Sequence, residues 1–129
     1  MRRITLNQNS NDSPGSGARK RVFSGIQPTG GAHIGNYLGA MRNWVALEER
    51  YDAFLCVVDL HALTLPWDAA TLERDTLSKA AEILACGVDP ERSVLFVQSH
   101  VAAHTELAWI LTCLARMGEL RRMVAFKEK

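Results

Sequence analysis

Arg21-Val22-Phe23-Ser24-Gly25-Ile26-Gln27-Pro28-Thr29-Gly30-Gly31-Ala32-His33-Ile34-Gly35-Asn36-Tyr37-Leu38-Gly39-Ala40 is the stretch whose reading decides the fold. Its first four residues carry a short strand signal. A loop with three of the chain's nine glycines follows, and an amphipathic helix starts near Gly35. A loop between the carboxyl end of a strand and the amino end of a helix presents unpaired backbone N–H groups, which suit an anionic ligand. His33 and Asn36 stand at the helix mouth on either side of Gly35. The combination points to nucleotide chemistry.

The residue types suit that task. Gly35 removes a side chain at the first helical turn, so that a flat base or a ribose can approach the backbone. His33 and Asn36 offer N–H donors to one ligand, and Gln27 and Thr29 add polar contacts at the same rim. Donors set where phosphate charge develops stabilise a transition state with no covalent role for the protein. The plainer reading of His33-Ile34-Gly35-Asn36 alone is a glycine-rich turn with a capping histidine and asparagine.

Outward from this stretch the chain alternates strand and helix. A strand near residues 21–25 leads to a helix near 35–50, with Leu38, Met41 and Val45 on one face and Trp44 partly buried. The run Ala53-Phe54-Leu55-Cys56-Val57-Val58 reads as a strand buried on both faces. Asp68 is placed to cap a helix running to about residue 86, patterned by Leu72, Thr76, Lys79, Ile83 and Leu84, and Gly87 is placed to end it. Val94-Leu95-Phe96-Val97 is a third buried strand. A helix near 102–116 follows, with Leu107, Ile110, Leu111 and Leu114 on its apolar side, and a shorter one begins around Gly118. Three buried strands with intervening helices predict an α/β fold with a parallel sheet and right-handed crossovers.

Ligands of open parallel sheets bind beyond the carboxyl ends of the strands. Here those ends are Gly25-Ile26-Gln27, Asp59-Leu60-His61 and Gln98-Ser99-His100, so Gln27, His33, Asn36, Asp59, His61 and Gln98 are expected to line one cleft. Asp59 reads equally as a cap on the turn after its strand, His61 as a packed loop histidine, and Gln98 as a hydrogen-bonding loop residue. His100 and His104 have the four-residue spacing of helical zinc ligands, but Val101 stands where the catalytic glutamate of that motif would be. No metal site is expected.

A length of 129 residues, 47% of them hydrophobic, is enough for one core and one domain. The net charge of +1 is unevenly spread: +4 over residues 1–21, −6 over the middle, and +3 over residues 116–129. The basic ends suit phosphates, but solvated faces account for such runs equally well. No apolar run reaches the roughly 20 residues of a membrane helix, and the first twenty residues lack the apolar region of a secretory signal. A soluble, cytoplasmic chain with a disordered extension over residues 1–20 is expected. Cys56, Cys86 and Cys113 each lie in an apolar segment and read as buried, reduced thiols. Trp67 and Trp109 read as core or interface aromatics.

The opening stretch resembles the first signature of the class I aminoacyl-tRNA synthetases, the HIGH motif, here His33-Ile34-Gly35-Asn36. Ser24-Gly25-Ile26-Gln27-Pro28-Thr29-Gly30 before it and Asn36-Tyr37-Leu38-Gly39-Ala40 after it resemble the tryptophanyl family in particular. Val57-Val58-Asp59-Leu60-His61-Ala62-Leu63-Thr64 agrees, as do Gly118-Glu119-Leu120-Arg121-Arg122-Met123 and Phe126-Lys127-Glu128-Lys129. The likeness runs over residues 21–129. It implies the N-terminal half of a nucleotide-binding catalytic domain, with part of a doubly wound, Rossmann-like parallel sheet.

The resemblance further implies ATP, with Mg2+, bound by Gln27, Pro28, Thr29, Gly35, Asn36 and Lys129. His33 and Asn36 would be the catalytic pair steadying the phosphates, and Phe23 and His61 match positions around the bound tryptophan. The implied reaction is attack of the tryptophan carboxylate on the α-phosphate, then transfer to tRNA(Trp), in an enzyme that is a homodimer when complete. The chain departs from the family pattern in lacking a KMSKS-like second signature and an anticodon-reading helical domain. Ala102 also stands where a proline is frequent. An amino-terminal fragment is therefore expected, and a non-catalytic nucleotide-binding or partner-binding module is the alternative.

Overall fold

A computed structural model of the chain describes residues 19–127. Three strands, β1 (Arg21–Ile26), β2 (Asp52–Val57) and β3 (Ser93–Val97), form a parallel sheet in the order β1-β2-β3. Register is continuous, with Phe23 opposite Phe54 and Cys56 opposite Phe96, so all three carboxyl ends reach the same edge. Asp52 N–H donates to the Lys20 carbonyl at 3.0 Å, and Arg19 donates to the Glu48 carbonyl, so the ordered pairing begins before β1.

Helices cover one face of this sheet. The first crossover comprises α1 (Ile34–Asn36), a π-helical turn (Tyr37–Met41) and α2 (Arg42–Glu48). The short α3 (Asp59–Ala62) and the long α4 (Ala69–Ala85) form the second. Met41 and Trp44 from the first and Ile83 and Val88 from the second meet Leu55 and Val57 in a single buried cluster. Beyond β3 come a 3-10 turn (Gln98–His100), α5 (Ala102–Leu114), α6 (Met117–Leu120) and α7 (Val124–Lys127).

Local chemistry explains the boundaries. Asp68 Oδ2 accepts the Thr71 N–H at 2.9 Å, capping α4 as the sequence predicts. The helix ends into Gly87, whose φ of +101° only glycine adopts without strain. Behind the core, the buried Glu48 carboxylate accepts the Asp89 N–H at 3.1 and 3.2 Å and the Ser93 hydroxyl. It thereby fastens α2 to the loop that launches β3.

Several side chains depart from the sequence reading. Trp44 is 3% exposed and belongs to the core, whereas Leu38 is exposed. The π turn explains this: Arg42 N–H reaches back five residues to Tyr37, each residue there turns through a smaller angle, and Leu38 rotates off the Met41 face. β3 is only half-buried because among the described strands it has a neighbour on one side alone, and Val94 is exposed. Leu107, Ile110, Leu111 and Leu114 do share α5, but they face away from the core and all are exposed, as are Trp67 and Trp109. Of the cysteines only Cys56 is fully buried; Cys86 is half-buried and Cys113 lies exposed on α5.

Candidate functional site

The site is assembled where β1 hands over to α1. The Ile26 carbonyl accepts the Val58 N–H at 2.9 Å, holding the carboxyl ends of β1 and β2 side by side. Gln27 leaves β1 half-buried, Pro28 is buried, and Thr29 and Gly30 come to the surface. Gly30 has φ +67°, a left-handed residue that turns the loop towards His33. A cavity of about 480 Å³ lies against Pro28, Thr29 and Gly30, walled by Ala62, Leu65 and Trp67.

His33 caps the helix. Its backbone is extended, and its Nδ1 accepts the Gly35 N–H at 3.1 Å. The His33 carbonyl accepts the Asn36 and Tyr37 N–H groups at 2.9 and 3.2 Å. With Nδ1 accepting, Nε2 is the ring nitrogen left to donate. Gly35 is needed for this arrangement: a Cβ there would stand 2.9 Å from His33 Cε1 and 3.0 Å from Nδ1. In this structure the room gained by the glycine is taken by the imidazole that caps the turn. Asn36 closes α1, half-buried, just before the π turn, a feature that recurs at functional sites.

The other strand ends contribute as follows. Asp59 Oδ1 accepts the Ser99 N–H at 3.0 Å, so Asp59 ties the ends of β2 and β3 together. His61 stands exposed on α3 at the same edge. Gln98 Oε1 is buried with no hydrogen-bond partner among the described residues, an acceptor open to a donor from elsewhere. His104 stacks on Phe96 with ring centroids 6.0 Å apart, and its Nδ1 lies 3.4 Å from the Gln98 carbonyl. Phe23 lies mid-strand on the sheet face opposite the core, 62% exposed and 6.4 Å from the Phe96 ring. Among the described residues no three His, Cys, Asp or Glu side chains gather as metal ligands. Lys129 lies outside the described residues, while Lys127 stands exposed at the end of α7.

Gln27, Pro28, Thr29, His33, Gly35 and Asn36 thus follow one another along a single crossover, the rim, of which Pro28 and Thr29 line the cavity; His61 stands at the adjoining strand end and Phe23 on the open sheet face. A second cavity, of about 430 Å³, lies between Asp59, Trp67, Leu72 and His100 and touches none of the rim residues. Sequence reading passed over two features of the rim. The π turn has no side-chain signature beyond Gly39. The second is a buried lysine on α4, Lys79, whose helical spacing marks it only as core-facing.

A parallel sheet with a histidine-capped, glycine-rich crossover at its carboxyl edge has the form of a nucleotide-binding α/β fold. Residues 16–129 match the model of the family described as tRNA synthetases class I (W and Y), and the chain belongs to that family. Within it, the chain resembles the tryptophan enzymes. It is 60% identical over 114 residues to the tryptophan–tRNA ligase of Gloeobacter violaceus, covering 88% of this chain and 34% of that protein. The ligase of Caldanaerobacter subterraneus is 62% identical over 110 residues, 85% of this chain and 34% of its own length. The crystal structure of tryptophanyl-tRNA synthetase from Campylobacter jejuni superposes with a TM-score of 0.78 at 40% identity, covering 86% of this chain and 35% of that one. A second structure of that enzyme, also with a TM-score of 0.78, is complexed with ADP and tryptophan. The chain therefore spans about a third of the length of the relatives it matches. No helix among the described residues is long and apolar enough to cross a membrane.

Proposed function

We propose that residues 21–129 are the N-terminal half of the nucleotide-binding catalytic domain of a tryptophan–tRNA ligase, and that the rim around His33 is its ATP cradle. The carrying observation is the His33 cap: Nδ1 is engaged by the Gly35 N–H, which leaves Nε2–H as a fixed donor beside the exposed amides of the loop. Such donors stabilise charge building on a transferring phosphoryl group without reorganising during the reaction. The ADP and tryptophan held by the Campylobacter jejuni relative support the same reading.

In this reading Gln27, Pro28, Thr29, Gly35 and Asn36 hold ATP, Lys129 approaches its phosphates, and Phe23 and His61 face tryptophan. A tryptophan carboxylate oxygen attacks the α-phosphorus, the bond to the bridging oxygen breaks, and pyrophosphate leaves with the charge it gained. The adenylate then passes its aminoacyl group to tRNA(Trp). Magnesium would supply charge stabilisation on the pyrophosphate leaving group. Positioning is the protein's main contribution, and no residue acts as a nucleophile. A cytoplasmic location and a homodimeric complete enzyme belong to the same proposal.

A second reading, a non-catalytic module that binds nucleotide or a partner, draws on the exposed leucines and isoleucine of α5. The two part in one assay: ATP–pyrophosphate exchange on the chain with tryptophan, with tyrosine and with no amino acid, beside Asn36→Ala. Exchange that needs tryptophan and is lost in Asn36→Ala supports the ligase. ATP binding without exchange means that the chain keeps the nucleotide cradle and needs the rest of the catalytic domain for chemistry, whereas binding that tolerates His33→Ala supports the module.

A further inference from the structure

Lys79 is a charged residue in an unusual place. Its side chain is 1% exposed, in the helix that packs against the core, yet its ammonium reaches out of α4 rather than into the apolar cluster. Nζ donates to the Gly30 carbonyl at 3.0 Å and to Glu82 Oε2 at 2.6 Å. The other oxygen of the same carboxylate, Oε1, accepts the Ala32 N–H at 3.3 Å. One ion pair on α4 therefore grips the glycine-rich loop on both sides of Gly31, immediately before His33.

That placement sets the loop's freedom. Gly30 and Gly31 are the adjacent residues with the widest backbone choice in the rim, and neither has any heavy atom within 4 Å of where a Cβ would stand. Side-chain packing therefore does not hold them. What holds them is a carbonyl on one side and an N–H on the other, both bonded to the pair. Burying an ammonium is costly, and a buried ion pair is frequently no more stabilising than an apolar substitute of the same size. The pair's yield is therefore sought in geometry rather than in folding free energy.

We propose that Lys79 and Glu82 are positioning residues: they clamp residues 30–32, and through them fix the His33 cap and the amides that meet ATP. The inference rests on the nucleotide reading above for the ligand, but the clamp itself can be measured without it. Each acts through the loop, by its bond to the Gly30 carbonyl or the Ala32 N–H.

The test compares the chain with Lys79→Met, Glu82→Ala and the double variant. It uses amide hydrogen exchange of residues 28–36, titration with magnesium–ATP, and urea unfolding. The expected result is a roughly tenfold rise in loop exchange with the β2 amides unchanged. ATP affinity falls by about five- to tenfold, and the urea midpoint of Lys79→Met is held or raised. The double variant matches the worse single within about twofold, because both residues hold one loop. Glu82 is only partly buried, so Glu82→Ala serves where Lys79→Met does not fold. Unchanged loop exchange in the variants overturns the clamp. Faster loop exchange with an ATP affinity equal to that of the parent overturns its role in positioning the nucleotide. If the parent chain itself binds no ATP, the nucleotide reading falls, and loop exchange alone upholds or overturns the clamp.

Discussion

Glu48 shows what a single residue does here. It is a carboxylate buried at the back of the core, matched to the Asp89 N–H and the Ser93 hydroxyl. Its truncation would leave the half-buried Asp89 N–H without its acceptor and the Ser93 hydroxyl with only the Asp89 carbonyl, at 3.2 Å. Glu48→Ala is expected to lower the free energy of unfolding by about 3 kcal/mol in urea titration, and Glu48→Gln by less, since the amide oxygen still accepts. Cys56 makes a second prediction. Burial first, and the nearby Asp59 charge second, push its thiol from 9.0 up to about 11. The folded state thus keeps the proton longer than the unfolded chain does. The stability this contributes is complete below about pH 9 and is lost as pH rises through about 11. At pH 8 a thiol-reactive disulfide reagent is expected to label exposed Cys113 rapidly and Cys56 only on unfolding. The sequence identified all three thiols as reduced and apolar in setting. It could not show that α5 turns Cys113 outward, because periodicity marks an apolar face without saying what lies against it.

At the scale of elements, the start of α4 is the clearest case of local chemistry sufficing. Asp68 followed by an amphipathic run is a cap by sequence and a cap in space. The backbone hydrogen bond from Thr71 holds its carboxyl below the ordinary carboxylate value, so the unfolded chain binds the proton more readily than the folded one. The cap's contribution is therefore present above the ordinary value of about 3.9 and disappears as pH falls through the lowered folded one. Asp68→Ala is expected to lower the melting temperature at pH 7 and to leave it unchanged near pH 2, read by circular dichroism. The first crossover is the opposite case. Its existence and length were legible, but the π turn that swings Leu38 out and Trp44 in was not, because five-residue hydrogen bonding is chosen by what the helix must pack against. Leu38→Gln is accordingly expected to cost under about 0.5 kcal/mol, as surface changes do, whereas Trp44→Ala costs about 3–5 kcal/mol.

Across the whole molecule, one cluster built from both crossovers holds the sheet edge that presents the rim. Ile83→Ala, at its centre with no exposed surface, is expected to cost about 2–5 kcal/mol. Leu114→Ala on the open face of α5 should cost under about 0.5 kcal/mol by the same urea titration. A comparable loss at both sites would mean that α5 is packed in solution. The sequence by itself determined the order of strands and helices, the cap of α4, the glycine that ends it and the motif around His33. All of these are set within a few residues of chain, by backbone sterics, capping and apolar period. Only the tertiary structure decided which apolar faces are covered, and that Lys79 and Glu82 reach back across about fifty residues to the loop before His33. Those facts depend on contacts between segments distant in sequence, and no local pattern encodes where a distant partner will lie.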